Sequence, residues 1–204
     1  MFSRRLSHIN LKYVLNRLSV MIDEKMNPDH PWLTSDAVKV LSSLIKTTDV
    51  GIEFGSGRST IWFAKRLKSL ISIEDNHNWY NKVSNNLIKH KLDSRVDYRY
   101  INNLELYYQQ AKDLTNNSMD FCLIDGVVRD KCALSMIEKT KKGGLIVIDN
   151  INWYMHNEIS YSPDSIAPGK FASDLWKEFD FCTKSWRRIW TSNGVTETCI
   201  FIKP

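Results

Sequence analysis

Apolar positions along this chain change period as it runs. From residue 49 onward, short apolar runs alternate with stretches in which apolar residues recur every three or four positions. "DVGIEF" (49–54), "LISIE" (70–74), "MDFCLID" (119–125) and "GLIVID" (144–149) have the length and continuity of buried strands, and "RVDYRYI" (95–101) alternates like a half-buried one. Between them the helical period predicts helices over about 58–67, 77–89 and 129–141, with Trp79, Val83 and Leu87 sharing a face, and a short helical stretch near 104–113. Strands separated by single helices imply right-handed crossovers and a parallel sheet. The rhythm changes at the end: a helix near 169–178 leads to "SWRRIWT" (185–191), then Asn193-Gly194, then "TETCIFIK" (196–203). Asn-Gly between two strand patterns marks a two-residue hairpin. The expected fold class is α/β, a doubly wound seven-stranded sheet, mostly parallel and closed by a C-terminal antiparallel hairpin, with no internal repeat.

Residues 3–24 carry a separate helical stripe, with Leu6, Ile9, Tyr13, Val14, Leu18, Met21 and Ile22 on it and basic residues around it. Asn27-Pro28 and His30-Pro31 break that helix, and Thr34, Ser35 or Asp36 can cap a second one reaching about Ile45. Residues 1–30 thus read as an amphipathic cap and 31–204 as the main domain. The stripe predicts a helix packed on its own domain; a substrate lid, a dimer contact and a membrane-surface helix are the alternatives.

Composition narrows the class. At 204 residues, 43% of them apolar, the chain fits one domain with a real core. The net charge of +5 is scattered except for Arg4, Arg5, Lys12 and Arg17, and no basic face interleaved with aromatics argues for nucleic acid. Cys122, Cys132, Cys182 and Cys199 show neither disulfide nor zinc spacing, so a reducing cytoplasm is expected. No run approaches the roughly 18 apolar residues of a transmembrane segment. A homodimer through the N-terminal stripe is compatible with the pattern.

The candidate chemistry begins at "EFGSG" (53–57). A strand entering Gly55-Ser56-Gly57 and then a helix brings bare backbone and unpaired N–H groups beside a ligand, geometry suited to a nucleotide-like cofactor. The dinucleotide fingerprint wants a third glycine where Thr60 stands, "GSGRST" lacks a Walker lysine, and Glu53 disfavours a pyrophosphate. This order of an acid, Gly-x-Gly and an acid ending the next strand, "SIED" (72–75), resembles the class I S-adenosylmethionine methyltransferases. The resemblance implies that Gly55, Ser56 and Gly57 line the methionine part of S-adenosylmethionine, with Glu53 near its ammonium or sulfonium. It makes Glu74 the acceptor for both ribose hydroxyls with Asp75 as fallback, and sets Asn102 and Asn103 beside the adenine. A tight turn at the glycines and a solvated Glu74 is the plain alternative.

Downstream, Asp125 ends one central strand and Asp149-Asn150 the next, so their oxygens can converge on the ligand-binding rim. Hard oxygen ligands suit a divalent cation such as magnesium, which would lower the pKa of a bound hydroxyl. The segment resembles the catechol and caffeoyl-CoA type O-methyltransferases, which implies that Asp125, Asp149 and Asn150 hold the metal. Their lysine base is absent, its place taken by Val128. Arg129 follows, able to bind an anionic group or steady an oxyanion but not to accept a proton. Asp125 can alternatively lie near the sulfonium or cap the next helix. The loop after Asn150 carries Trp153, Tyr154, His156 and Tyr161 as candidate acceptor-pocket residues, His156 as general base or as an exposed loop histidine. The resemblance also implies that the segment with Trp32 and Thr34, about one helix before the first strand, folds over the cofactor; a buried tryptophan and a helix cap are the plain alternatives. The expectation is methyl transfer to oxygen on a small-molecule or sugar-like acceptor. A nicotinamide-dependent oxidoreductase and a non-catalytic cofactor-binding protein are the rivals.

Overall fold

A computed structural model describes residues 9–158 and 162–204; Arg4, Arg5, Leu6 and Tyr161 lie outside the described residues. Helices α1 (Leu11–Met26) and α2 (Ser35–Leu44) precede an alternating series: β1 (Val50–Phe54), α3 (Arg58–Ala64), β2 (Ser69–Glu74), α4 (His77–Lys89), β3 (Val96–Tyr100), α5 (Leu104–Gln109), β4 (Met119–Ile124), α6 (Arg129–Met136) and β5 (Thr140–Asp149). Then come α7 (Asp174–Cys182), β6 (Arg187–Ser192) and β7 (Glu197–Ile202). The seven strands form one sheet in the order β3-β2-β1-β4-β5-β7-β6. Strands β1 to β5 pair in parallel, and β7 is antiparallel to both β5 and β6.

Both faces of the sheet are covered, which explains the unbroken apolar runs. In β4, Cys122 and Ile124 pack toward Tyr107 of α5 and Met136 of α6, while Phe121 and Leu123 pack toward Ala37, Leu41, Trp62 and Phe63 on the other side. β5 splits the same way, Ile146 and Ile148 against Leu145 and Val147. Successive strand residues point to opposite faces, so a strand buried on both sides must be apolar at every position.

Several elements differ from the pattern-based expectation. α6 stops at Met136 and β5 begins at Thr140, because the backbone of Gly143 and Gly144 pairs with Lys203 and draws "TKKGG" into the sheet. α7 starts at Asp174 because the Ser173 hydroxyl accepts from Trp176 N–H and caps it there. α1 forms as expected but does not pack into the domain core: none of its residues is buried.

Candidate functional site

Strands β1, β2, β4 and β5 end on the same rim, and the strand order reverses between β1 and β4, where ligands of open α/β sheets bind. At that point Gly55 holds a left-handed φ of +95°, and a Cβ there would stand 2.5 Å from the backbone nitrogen of Gly126. Only glycine lets the loops after β1 and β4 press together. Gly126 is itself fixed by Tyr107, whose hydroxyl would lie 2.1 Å from an added Cβ. Gly57 is different: a Cβ there would meet only the Trp79 ring, at 3.8 Å, an ordinary contact, so crowding does not demand glycine at this position. Thr60, standing where a dinucleotide site has its third glycine, accepts the Gly57 N–H on Oγ1 at 2.9 Å.

Glu74 ends β2 with its carboxylate against this loop. It accepts from Ser56 N–H at 3.1 Å, Ser56 Oγ at 2.7 Å and Asn76 N–H at 2.9 Å. Tyr98 Oη lies 2.7 Å from Ser56 Oγ, and Trp79 Nε1 donates to the Ser56 carbonyl at 2.7 Å. A carboxylate offers about four lone-pair sites, so for Glu74 to take two further hydroxyls Ser56 Oγ must turn to Tyr98. Asp75 beside it is pushed above the usual carboxylate range by burial and by the Glu74 charge. Asn102 is exposed, and Asn103 spends its side-chain oxygen on the N-terminus of α5, accepting from Glu105 and Leu106 N–H.

Glu53 is fully buried beneath the loop. One oxygen accepts from Ser72 Oγ at 2.6 Å; among the described residues the other has no partner at full hydrogen-bond geometry, with the Ser59 and Thr60 hydroxyls close by. Burial pushes its pKa up to about 7, with the Ser72, Thr60 and Ser59 hydroxyls pulling the other way. An unpaired carboxylate oxygen here fits a cationic group arriving from the loop side, which is what an aminoacyl sulfonium cofactor would bring. The raised pKa also fixes a sign. An acid whose folded pKa exceeds its unfolded value of 4.5 binds more protons when folded, so its contribution favours folding at low pH and is lost as pH rises toward 7. The thermal midpoint should therefore fall between pH 5 and about 7.5, and Glu53→Gln should flatten part of that slope in a pH series of melting curves.

The rim beyond β4 and β5 is organised by Arg129. Its Nε donates to the Gly126 carbonyl at 2.9 Å, and Nη1 to the Asp149 carbonyl at 2.6 Å and to Asn150 Oδ1 at 3.2 Å. Nη2 donates to the Asp125 carbonyl at 2.6 Å and to its carboxylate at 2.8 Å. All five guanidinium N–H groups are thereby engaged. The arrangement supports neither of two expectations. Every donor of Arg129 is engaged within the protein, leaving none for a substrate anion or oxyanion. Asp125, Asp149 and Asn150 do not form an open set of ligands: the guanidinium stands between Asp125 and Asn150, and the Asp149 carboxylate accepts from Thr198 Oγ1 at 2.7 Å. Asn150, at a left-handed φ of +51°, donates from Nδ2 to Thr196 Oγ1 at 2.6 Å. Among the described residues no group of His, Cys, Asp and Glu side chains gathers as a metal-ligand set.

Asp149 is buried, and burial followed by the Asp125 charge pushes its pKa up to about 7. Asp125 is also raised by burial, with Arg129 opposing. Both line a cavity of about 710 Å³ roofed by α1. Its wall is rich in carboxylates (Asp23, Glu24, Asp125, Asp149, Asp164) and side-chain amides, with Arg17 and Arg58 as cations and Trp32 and Trp153 as aromatic surface. His156 does not line it, and its Nδ1 is buried with no hydrogen-bond partner among the described residues. Tyr154 stacks on Trp176 with ring centres 5.0 Å apart, so it serves the core. Thr34 caps α2 and donates its N–H to Thr198 Oγ1, while Trp32 lies across Trp79 at 6.2 Å. Asp164, Tyr107 and Gly126 were not singled out in the sequence. Asp164 sits in an irregular loop, where no period marks it.

No protein family's sequence profile matches the chain, and no curated protein matches it. Solved structures do. A methyltransferase from Geobacter sulfurreducens is similar over 92% of this chain and 88% of its own, with a TM-score of 0.58 at 12% identity. A SAM-dependent O-methyltransferase from Thermotoga maritima covers 89% of this chain and 70% of its own, TM-score 0.54 at 14% identity. A putative rRNA methylase from Clostridium thermocellum covers 81% and 93%, TM-score 0.57 at 12% identity. The chain has the Rossmann-like fold of the class I methyltransferases. The acceptors those proteins are named for differ, so the fold leaves the acceptor to be argued from the site.

Proposed function

We propose that this chain is an S-adenosylmethionine-dependent methyltransferase acting on a hydroxyl of a small, sugar-like molecule. The observation that carries the reading is the pairing, at the β1/β4 switch point, of the Gly55-Ser56-Gly57 loop clasped by Glu74 with a buried Glu53 whose second oxygen has no hydrogen bond among the described residues. Glu74 would hold the ribose hydroxyls, Gly55-Ser56-Gly57 the aminoacyl chain, and Glu53 the positive charge. The cofactor supplies a methyl group already activated on a sulfonium. What remains for the protein is to align the acceptor, exclude water and accept a proton. Asp149 is the acceptor of that proton, being raised to about 7 and facing the cavity. A wall of carboxylates and amides matches a molecule rich in hydroxyl donors.

Calorimetric titration with S-adenosylmethionine and, separately, with NADH tests the cofactor: binding of the first and not the second is expected, and the reverse sinks the reading. Glu74→Ala should weaken S-adenosylmethionine binding by about 100-fold, the loss of two charge-assisted hydrogen bonds. Transfer of labelled methyl to a panel of sugars and phenols then identifies the acceptor. With Arg129 seated between Asp125 and Asn150, turnover should be unchanged by EDTA.

A further inference from the structure

Helix α1 is amphipathic in the reverse sense to a helix covering a core. Its less exposed residues, Tyr13, Asn16, Val20 and Glu24, recur at three- and four-residue spacing and face the cavity. On the opposite side Leu11, Leu15, Leu18, Ile22 and Met26 are 51 to 77% exposed, and Val14 and Met21 flank them at 42 and 45%. A stripe of this length open to water is the mark of a surface that something covers.

Charge decides what. Of the charged residues on α1, Arg17, Asp23 and Glu24 line the cavity. Those left are Lys12, at the border of the apolar arc, and Lys25, within it. The outward arc of α1 is therefore apolar with Lys12 and Lys25 as its charges, while Glu24 faces inward and Asp23, exposed at the cavity's edge, accepts from Asn27 Nδ2. A second copy of the chain fits this poorly. Antiparallel pairing of two α1 stripes sets Lys12 of one beside Lys25 of the other, parallel pairing sets each lysine beside itself, and in neither does a carboxylate face them. An anionic lipid surface fits both features, because acyl chains take the leucines while headgroup phosphates take the lysines.

We propose that α1 seats this protein on membrane surfaces bearing anionic phospholipid, with the cavity one helix diameter, about 10 Å, behind the lipid face. The proposal does not depend on the methyltransferase reading. The test is flotation of the full chain with vesicles of phosphatidylcholine alone or mixed with phosphatidylglycerol. The wild type should float with the mixed vesicles only, and less at high salt. Leu15→Glu/Leu18→Glu and, separately, Lys12→Glu/Lys25→Glu should lose flotation while keeping the wild-type melting midpoint, since none of these side chains lines the cavity or is buried. Three results would overturn the proposal. They are a wild type that stays unbound with mixed vesicles, a leucine variant that still floats, and a dimer by light scattering that becomes a monomer in the leucine variant, which would give the face to a second copy.

Discussion

Asp149→Asn is expected to lower methyl transfer by about 10²- to 10⁴-fold, the usual contribution of a positioned general base, while S-adenosylmethionine binding by calorimetry stays at the wild-type level. The substitution keeps the shape of the side chain, and the asparagine oxygen can still accept from Thr198 Oγ1, so the rim should fold unchanged. What disappears is the oxygen that, on the proposed reading, takes the proton. Asp149 titrates near 7 because it is buried and faces the Asp125 charge. A base must be ionised to act, so turnover in the wild type should rise with pH up to about 7 and then level off. Glu53 titrates in the same range, but a cationic cofactor favours its ionised form and draws its limb to lower pH. At saturating cofactor the remaining limb belongs to Asp149. A profile in Asp149→Asn with the same limb and the same plateau, measured with the panel acceptor that the wild type methylates, would remove Asp149 from the chemistry.

The residues that were legible in the sequence are those whose role is local. β4 and β5 announced themselves because strands buried on both faces are apolar throughout; Asn193-Gly194 marked where the antiparallel pair turns, but the strands end at Ser192 and Glu197, so four residues rather than two connect them and only Gly194 takes a positive φ. The Glu53, Gly55 and Glu74 order was readable because strand ends and the turn between them are sequence-local features. Arg129 was not. Its i,i+4 spacing from Asp125 could have suggested an ion pair, but its bond to the Asp149 carbonyl spans 20 residues and exists only once β4 and β5 lie side by side. Oxygen-bearing side chains at two neighbouring strand ends look like a metal set until the cation between Asp125 and Asn150 is seen to be a side chain. α1 shows the complementary limit: periodicity revealed an amphipathic helix, yet it carries no information on which side meets the protein.

Arg129→Met should destabilise the protein by about 3–5 kcal/mol, the cost of breaking a buried ion pair by removing one partner. The side chain is 12% exposed but its carboxylate partner 31%, so water reaching Asp125 offsets part of the loss and the lower end of that range is expected. Methionine fills much of the volume but leaves the carbonyls of Asp125, Gly126 and Asp149 without their donor and the Asp125 carboxylate without its cation. Arg129→Lys separates charge from geometry. Lysine restores a positive charge, but its three donors diverge and cannot reach two strand ends at once as a planar fork does, so the urea midpoint should recover only in part. The electrostatic consequence reaches the chemistry as well. Arg129 lowers the pKa of both Asp125 and Asp149, against the burial that raises them. Without it the activity limb should move above pH 7 in Arg129→Met and return toward the wild-type position in Arg129→Lys. A methionine variant as stable as the wild type, with an unmoved limb, would mean that the guanidinium neither joins the two strand ends nor sets the proton affinity of Asp149.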